Sequence, residues 1–328
     1  MLPRPTPNVR PTMYIVGDVN VDLGMRVEAL PAEGDDVQAS SRAIGSGGGG
    51  LNAAVAARAL GVGVSLVGRV GDDPLAEIAL ATAWRLGVDL SHLQIDRVEP
   101  TGTCMVVTTP SGERTLFSHR GANVALDRRL TRHVPIHLAE LLLVSAYALL
   151  AEPQRGATMD LIERASAAKV PIAMDLGLAV IERARPTLLN AWPKIGMMLL
   201  NESELRALAG EHDLERALAW LQAHGTSVNA LKRGARGSTL IGSDGVRFEC
   251  PGGAENPVDT TACGDAFAAG CSLSWARGMN LEACGRVGNA LGALTASRAG
   301  SAESIPNSEE LQRSGALDHW PSRQGDEA

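Results

Sequence analysis

Aromatic side chains are scarce in this sequence: 5 Trp, 3 Phe and 2 Tyr make up 3% of 328 residues. Ligand recognition is therefore expected to fall mainly to backbone and small polar groups rather than to aromatic platforms. Positive charge is short as well. Lys and Arg number 30 against 37 Asp and Glu, a net charge of −7, and no basic block stands out. A nucleic acid needs clustered cations to release its counterions, so no such partner is expected. No apolar run approaches the roughly 18 to 20 residues that cross a bilayer, so no membrane partner is expected either. The runs Leu141–Val144 and Met197–Leu200 read as buried strands. Cys104, Cys250, Cys263, Cys271 and Cys284 are odd in number and form no CxxC pair, which disfavours a disulfide framework and a zinc site. Leu2–Thr12 is Pro-rich and polar, without the apolar stretch of a secretory signal, so a reducing cytoplasm is the expected address.

Glycine, by contrast, is plentiful at 36 residues, and hydrophobic residues reach 45% with 20% charged, enough to build a core. The length allows one large α/β domain or two domains. Short apolar runs alternate with Ala- and Leu-rich stretches. The spacing predicts strands at Met13–Val16, Ser65–Gly68, Leu141–Ser145, Pro171–Asp175, Met197–Leu200 and Val228–Lys232. It predicts helices over Leu51–Leu60, Leu75–Leu86, Pro153–Ala168 and Leu214–His224. Strand then helix, repeated, implies a mainly parallel sheet covered on both faces. One region breaks the rhythm: Thr103–Thr109 and Arg114–His119 are β-rich and flank the turn sequence Pro110-Ser111-Gly112-Glu113. With the extended stretch Gly34–Ala43, this hairpin is expected to make a small second sheet. Open α/β sheets bind ligands beyond the carboxyl ends of their strands, and a small sheet there would act as a lid. Residues 1–12 and 314–328 are expected to be loose, disordered tails.

The most specific stretch is Asp259-Thr260-Thr261-Ala262-Cys263-Gly264-Asp265-Ala266-Phe267, which opens a small-residue helix. Ala262, Cys263 and Gly264 are small enough to let successive N–H groups share one concavity, and the helix dipole adds to its pull on a phosphate. Asp265 sets a carboxylate beside it, suited to taking a proton from an attacking hydroxyl. A plain helix cap is the competing reading. A second segment, Gly45-Ser46-Gly47-Gly48-Gly49-Gly50-Leu51-Asn52, satisfies G-x-G-x-x-G, but it lies far beyond the turn after the first strand, where a dinucleotide fingerprint belongs. No G-x-x-x-x-G-K occurs, which removes a P-loop. Third, Asn201-Glu202-Ser203-Glu204 follows a predicted strand. Its amide and carboxylate, three apart, can face one way and organise Mg2+ and its waters, or Asn201 can simply cap the helix.

In this order the three segments resemble the ribokinase-like, or PfkB, family of carbohydrate and nucleoside kinases. The likeness runs from about residue 13 to 312. It also includes Gly17-Asp18-Val19-Asn20-Val21-Asp22, Gly68-Arg69-Val70-Gly71-Asp72-Asp73, Pro100-Thr101-Gly102-Thr103, Gly112-Glu113-Arg114-Thr115 and Gly121-Ala122-Asn123. The resemblance implies a three-layer α/β/α sandwich, one kinase domain over residues 13–313, with a lid from about 34–45 and 101–120. It implies transfer of the ATP γ-phosphoryl group to a hydroxyl of a small sugar, with Mg2+. Carried over, Asp265 is the general base, and the N–H groups of Ala262, Cys263 and Gly264 are the anion hole. Asn20, Asp22, Gly48, Gly49 and Asn52 fall at sugar-contacting positions. Asn201, Lys232, Gly234, Gly237 and Asn289 fall at nucleotide positions, and Glu204 at the Mg2+ position, acting through water. The family also admits a monovalent-cation (K+) site, here at Asp259, Thr261 and Gly300. Lids in this family often pair with each other, so a homodimer is expected.

Two departures bear on the substrate. Where ribose-specific members carry a Lys and an acidic residue, this chain has Gly49 and Ser145-Ala146-Tyr147. Losing both changes the hydrogen bonds open to a sugar, so ribose is not favoured as the acceptor. The aromatic shortage favours a sugar or sugar acid over a nucleoside, for whose base Phe117, Tyr147 and Met105 are the nearby apolar platforms, although a base need not stack on an aromatic. A nucleotide- and sugar-binding relative without turnover is a third reading, opposed by the intact Asp265 and Glu204. For a phosphorylated acceptor the candidate cations are Arg42, Arg114 and above all Arg120, but a solvated lid edge is their expected role. Cys263 stands where the family usually has Ala or Gly. Inert packing is its expected role; the alternative is a thiol activated by the helix N-terminus, whose oxidation would block the anion hole.

Overall fold

The first strand, β1 (Met13–Val16), shows how the core is built. Met13 and Ile15 enter one hydrophobic cluster, Tyr14 and Val16 another. A strand buried on both faces needs an unbroken apolar run, and the sequence supplies one here and again at Leu141–Val144. The computed structural model describes residues 12–111, 114–253 and 257–315, together with Leu317 and Trp320. The following strands are β2 (Asn20–Arg26), β3 (Ser41–Gly47), β4 (Val64–Gly71), β5 (Leu93–Asp96), β6 (Gly102–Thr108) and β7 (Arg114–His119). Then come β8 (Leu141–Ser145), β9 (Ile172–Asp175), β10 (Met197–Asn201), β11 (Val228–Lys232), β12 (Ser238–Gly242) and β13 (Arg247–Cys250).

Among the described residues, nine strands form one sheet in the order β13-β12-β11-β10-β9-β8-β1-β4-β5. It is parallel except at β12 and β13, which return antiparallel. One face packs against helices Gly49–Ala59, Pro74–Arg85, Cys263–Ala276 and Leu281–Ala296. The other packs against Gln154–Ala167, Glu202–Ala209 and Leu214–His224. Each Leu, Ile or Val buried in these layers contributes about 1.5–3 kcal/mol. The layering is the expected α/β/α arrangement.

A separate four-stranded sheet has the order β3-β2-β6-β7. The expected hairpin is present as β6 and β7, with Gly112 and Glu113 of its turn outside the described residues. Its partner differs from expectation. Strand β3 begins at Ser41 rather than Gly34, and β2 lies between β3 and β6. Polar Asn20 and Asp22 and the following Gly24 hide the alternation of β2, in which Val21 and Leu23 pack on the core. The register decides which lid residues share a face. Asp22 pairs with Cys104 and Cys104 with Ser118, whereas Leu23 pairs with Met105 and Met105 with Phe117. Met105 and Phe117 therefore lie on the face opposite Asp22, away from where the nucleoside alternative would place them as platforms for a base.

Part of the expected tails is anchored. Thr12 donates from its N–H to the Gly63 carbonyl and from its hydroxyl to Glu140 Oε1, both at 3.0 Å. Leu317 and Trp320 lie against the core, with the Arg277 guanidinium 5.0 Å from the Trp320 ring centroid. A cation over an indole face is worth about 0.5–2 kcal/mol, which holds the Trp320 side chain in place. The other tail residues, 1–11, 316, 318, 319 and 321–328, lie outside the described residues.

Candidate active site

Four neighbouring parallel strands, β8 to β11, end on Ser145, Asp175, Asn201 and Lys232, so polar groups gather where the apolar runs stop. Lys232 Nζ lies 2.5 Å from Asp175 Oδ1. Burial alone would lower the ammonium's pKa, but Asp175, Glu204 and Asp265 outweigh it and push it up to about 12. Lys232 is thus a fixed buried cation. Asp175 was not singled out from sequence, although a carboxylate closing a buried strand at the ligand edge of the sheet was a readable signal.

Beside this pair begins the helix Cys263–Ala276. Ala262 precedes it in the left-handed region, φ +61°, an uncommon conformation for a residue with a Cβ and one that marks sites under structural constraint. Asp259 holds the approach: Thr261 donates to its Oδ1 from the N–H (2.8 Å) and hydroxyl (2.7 Å), and the Gly300 N–H donates to Oδ2 (3.1 Å). Among the described residues the N–H groups of Ala262 and Gly264 meet no acceptor, while that of Cys263 donates to the Thr260 carbonyl at 3.4 Å. The expected three-donor anion hole therefore has two open donors and one partly engaged.

Asp265 lies one turn into this helix and is not its cap, since Ala262 occupies that position without a side-chain bond. Its Oδ2 accepts from Asn52 Nδ2 at 2.8 Å. Burial, then the charge of Asp175, raise the carboxyl to about 7, against the opposing pull of Asn52 and Lys232. Asn52 comes from the helix Gly49–Ala59, and its Oδ1 is buried without a partner among the described residues. A group of that kind calls for a donor from a ligand. Two glycines make the approach feasible. Gly48 has φ +94°, and a Cβ there would sit 2.5 Å from the Asp18 carbonyl oxygen. A Cβ on Gly49 would lie 3.1 Å from Ser145 Oγ and 3.3 Å from Asp265 Oδ1. Asn20 and Asp22 reach the site from the lid; Asn20 Oδ1 accepts from Asn123 Nδ2 (2.9 Å), and Asp22 Oδ2 accepts from Ser301 Oγ. Burial raises the Asp22 carboxyl, with Glu303 and Asp259 adding to it and Ser301 opposing.

On the other side of Gly264 is a cavity of about 320 Å³ that brings together Asn201, Lys232, Gly234, Gly237 and Asn289. Asn289 spends its amide hydrogens on the carbonyls of Cys250 (2.9 Å) and Pro251 (3.1 Å). Asn201 and Glu204 form a reciprocal capping box: Glu204 N–H donates to Asn201 Oδ1 (2.9 Å) and Asn201 N–H to Glu204 Oε2 (2.8 Å). Arg114, from the lid strand β7, also lines this cavity, with Nη1 donating to Thr261 Oγ1 at 2.6 Å.

Three sequence readings bear on these contacts. Arg120 is not open to a substrate phosphate, because it grips both oxygens of Asp18 at 2.8 Å. Cys263 sits as its expected inert packing requires: burial, ahead of every other influence, pushes the thiol up to about 11. Asp259, Thr261 and Gly300 do come together, but Arg114 lies 3.8 Å from Asp259, so a cation would share that carboxylate with a guanidinium. Among the described residues no group of three or more His, Cys, Asp or Glu side chains could hold a metal. No described helix is long and apolar enough to cross a membrane.

A sequence model described as pfkB family carbohydrate kinase matches residues 11–308. The chain belongs to the PfkB family of carbohydrate kinases. Among curated relatives, an ATP-dependent ribose-1-phosphate kinase of Halopiger xanaduensis is 30% identical over 300 residues, covering 89% of this chain and 94% of its own. Among solved structures, ribokinase of Arabidopsis thaliana complexed with ribose and ATP superposes with a TM-score of 0.77 at 24% identity, covering 92% and 98% of the two chains. The adenosine kinase of Sinorhizobium meliloti reaches 0.83 at 22% identity, covering 93% and 99%. Both structural likenesses speak for the ribokinase fold. As a PfkB carbohydrate kinase the protein is a phosphotransferase with an alcohol group as acceptor.

Proposed function

We propose that this PfkB kinase transfers the γ-phosphoryl group of ATP to a hydroxyl of a small sugar or sugar derivative, with Asp265 as general base. The observation that carries this reading is Asp265 itself: a partly buried carboxylate poised near 7, oriented by Asn52, next to open N–H donors at a helix start. A base with a pKa near the working pH serves both proton uptake and availability. The sugar oxygen attacks the γ-phosphorus, its proton passes to Asp265, and the bond to the leaving ADP oxygen breaks. The N–H groups of Ala262 and Gly264 favour the charge on the moving phosphoryl oxygens, and Lys232 adds a fixed cation.

ATP is the donor in this reading because the cavity beside Gly264 joins the nucleotide positions to the anion hole. Mg2+ fits the residues present, since it keeps most of its waters and needs few carboxylates. Glu204 provides one, with only Oε2 engaged in the capping box, and the ion would neutralise phosphate charge there. A K+ near Asp259 and Gly300 would act by ordering the loop beneath the anion hole. Asn52 Oδ1 awaits a hydroxyl donor, which suits a sugar. With Arg120 committed to Asp18, an uncharged acceptor is favoured over a sugar phosphate. Support for a dimer through the lid comes from Ile44, Leu116 and Phe117, each more than half exposed on the lid's outer strands β3 and β7. Sedimentation of a single monomeric species at micromolar concentration would count against it.

ADP release measured across pentoses, hexoses, sugar acids, ribose 1-phosphate and nucleosides tests the function. Turnover is expected on a sugar. A preference for nucleosides, or nucleotide binding with no turnover on any acceptor, would contradict it.

A further inference from the structure

A buried polar network around Asp18 and Arg120 takes no part in the chemistry above, yet it sits where the lid joins the body. Asp18 lies between β1 and β2, and Arg120 directly follows β7, so the pair spans the chain's first passage into the lid and its last passage out. Gln154, only 1% exposed, closes the ring: its Nε2 donates to Asp18 Oδ1 (2.9 Å) and its Oε1 accepts from Arg120 Nη2 (2.6 Å). Arg120 Nη2 also donates to the Tyr147 carbonyl at 3.0 Å. Alongside, Asn123 accepts from the Val19 N–H (2.8 Å) and donates to the carbonyls of Val19 and Arg120 and to Asn20 Oδ1. The Asp18 carbonyl accepts from the N–H groups of Gly50 (3.1 Å) and Leu51 (3.3 Å), at the start of the helix that carries Asn52.

We infer that Asp18, Arg120 and Gln154 form a clasp that fixes both lid connections to the body and thereby orients Asn20 and the Gly48–Asn52 turn toward the acceptor. The three are positioning residues, since the Asp18 oxygens and the Arg120 fork are turned on each other. A forked guanidinium against a carboxylate defines one geometry, whereas Lys keeps the charge and loses the fork. The kinetic arm of the test rests on the sugar-kinase reading; the structural arm does not.

In Arg120→Lys the kcat/KM for the sugar is expected to fall on the order of 100-fold, the scale of a small misplacement of reacting groups. The KM for ATP should stay within about twofold, because the nucleotide cavity does not use the clasp. Asp18→Asn should lose as much, and the double variant should be no worse than either single one. Amide hydrogen exchange should quicken in β2 and β7 while β8 and β9 keep their protection, in Arg120→Lys and in Gln154→Leu alike. This readout needs no substrate. Exchange that quickens equally in all strands, or unchanged kinetics with an unchanged lid, would overturn the clasp. So would Asp18→Asn improving turnover on a sugar phosphate while Arg120→Lys abolishes it, because Arg120 would then be a substrate ligand. If the wild type phosphorylates no sugar, the functional reading falls and hydrogen exchange decides the clasp by itself.

Discussion

Replacing Asp265 by Asn separates what this carboxylate does for catalysis from what it costs the fold. Burial, then Asp175, raise its pKa from 3.8 to about 7. The unfolded chain gives up this proton near 3.8 and the folded chain near 7, so between these values the folded state holds more protons and stability declines as pH rises. The contribution is fully present below about pH 4 and fully lost above about pH 7. A shift of about 3 units, at about 1.4 kcal/mol each, amounts to about 4 kcal/mol. An amide has no charge to desolvate and keeps an oxygen that can accept from Asn52 Nδ2. Asp265→Asn is therefore expected to exceed wild type in stability by up to about 4 kcal/mol at pH 8 and to match it at pH 4, while kcat falls about 10²–10⁴-fold. Urea denaturation of both proteins in half-unit steps of pH checks this. Parallel stability curves, with no widening between pH 4 and 7, would refute the reasoning, because Asp265 would then be ionised throughout.

Lys232→Met leaves the Asp175 carboxylate buried without its 2.5 Å partner; a loss of about 3–5 kcal/mol and a raised KM for ATP are expected from denaturation and steady-state kinetics. Gly48→Ala forces a Cβ into a backbone at φ +94° and to within 2.5 Å of the Asp18 carbonyl; a cost of at least about 1–3 kcal/mol should appear as a lowered Tm. With the Cys263 thiol pushed up to about 11, iodoacetamide near pH 7.5 should leave activity intact, and Cys263→Ala should behave as wild type toward peroxide. Rapid inactivation that Cys263→Ala prevents would show an activated thiol after all.

Local chemistry made much of the main sheet legible. Strands β8 and β11 fall on their predicted bounds because a strand buried on both faces is mainly apolar: Leu141–Val144 is continuously so, and Val228–Leu231 is broken only by the buried Asn229. Asp265, Asn201 and Glu204 were readable because glycines and strand ends mark where a backbone can approach a ligand, whereas Asn52 and Lys232 were reached only through the family resemblance. What stayed hidden depends on distant pairing. Strand β2 mixes polar and apolar residues whose faces are set by β3 and β6. The Asp18–Arg120 pair joins positions 102 residues apart, so the sequence offered Arg120 as a solvated lid residue or a candidate phosphate ligand and not as a partner of Asp18. Antiparallel β12 and β13 interrupt a βα rhythm that gave no reason to expect them.

Phosphoryl transfer to a sugar through Asp265 is tested most directly by identifying the product. Purified protein, ATP, Mg2+ and a mixture of sugars and nucleosides are incubated, and ADP and phosphorylated products are quantified beside the Asp265→Asn variant. One sugar phosphate for each ADP, lost in the variant, is the expected result. A nucleoside monophosphate as the main product, or equal turnover by Asp265→Asn, would contradict it.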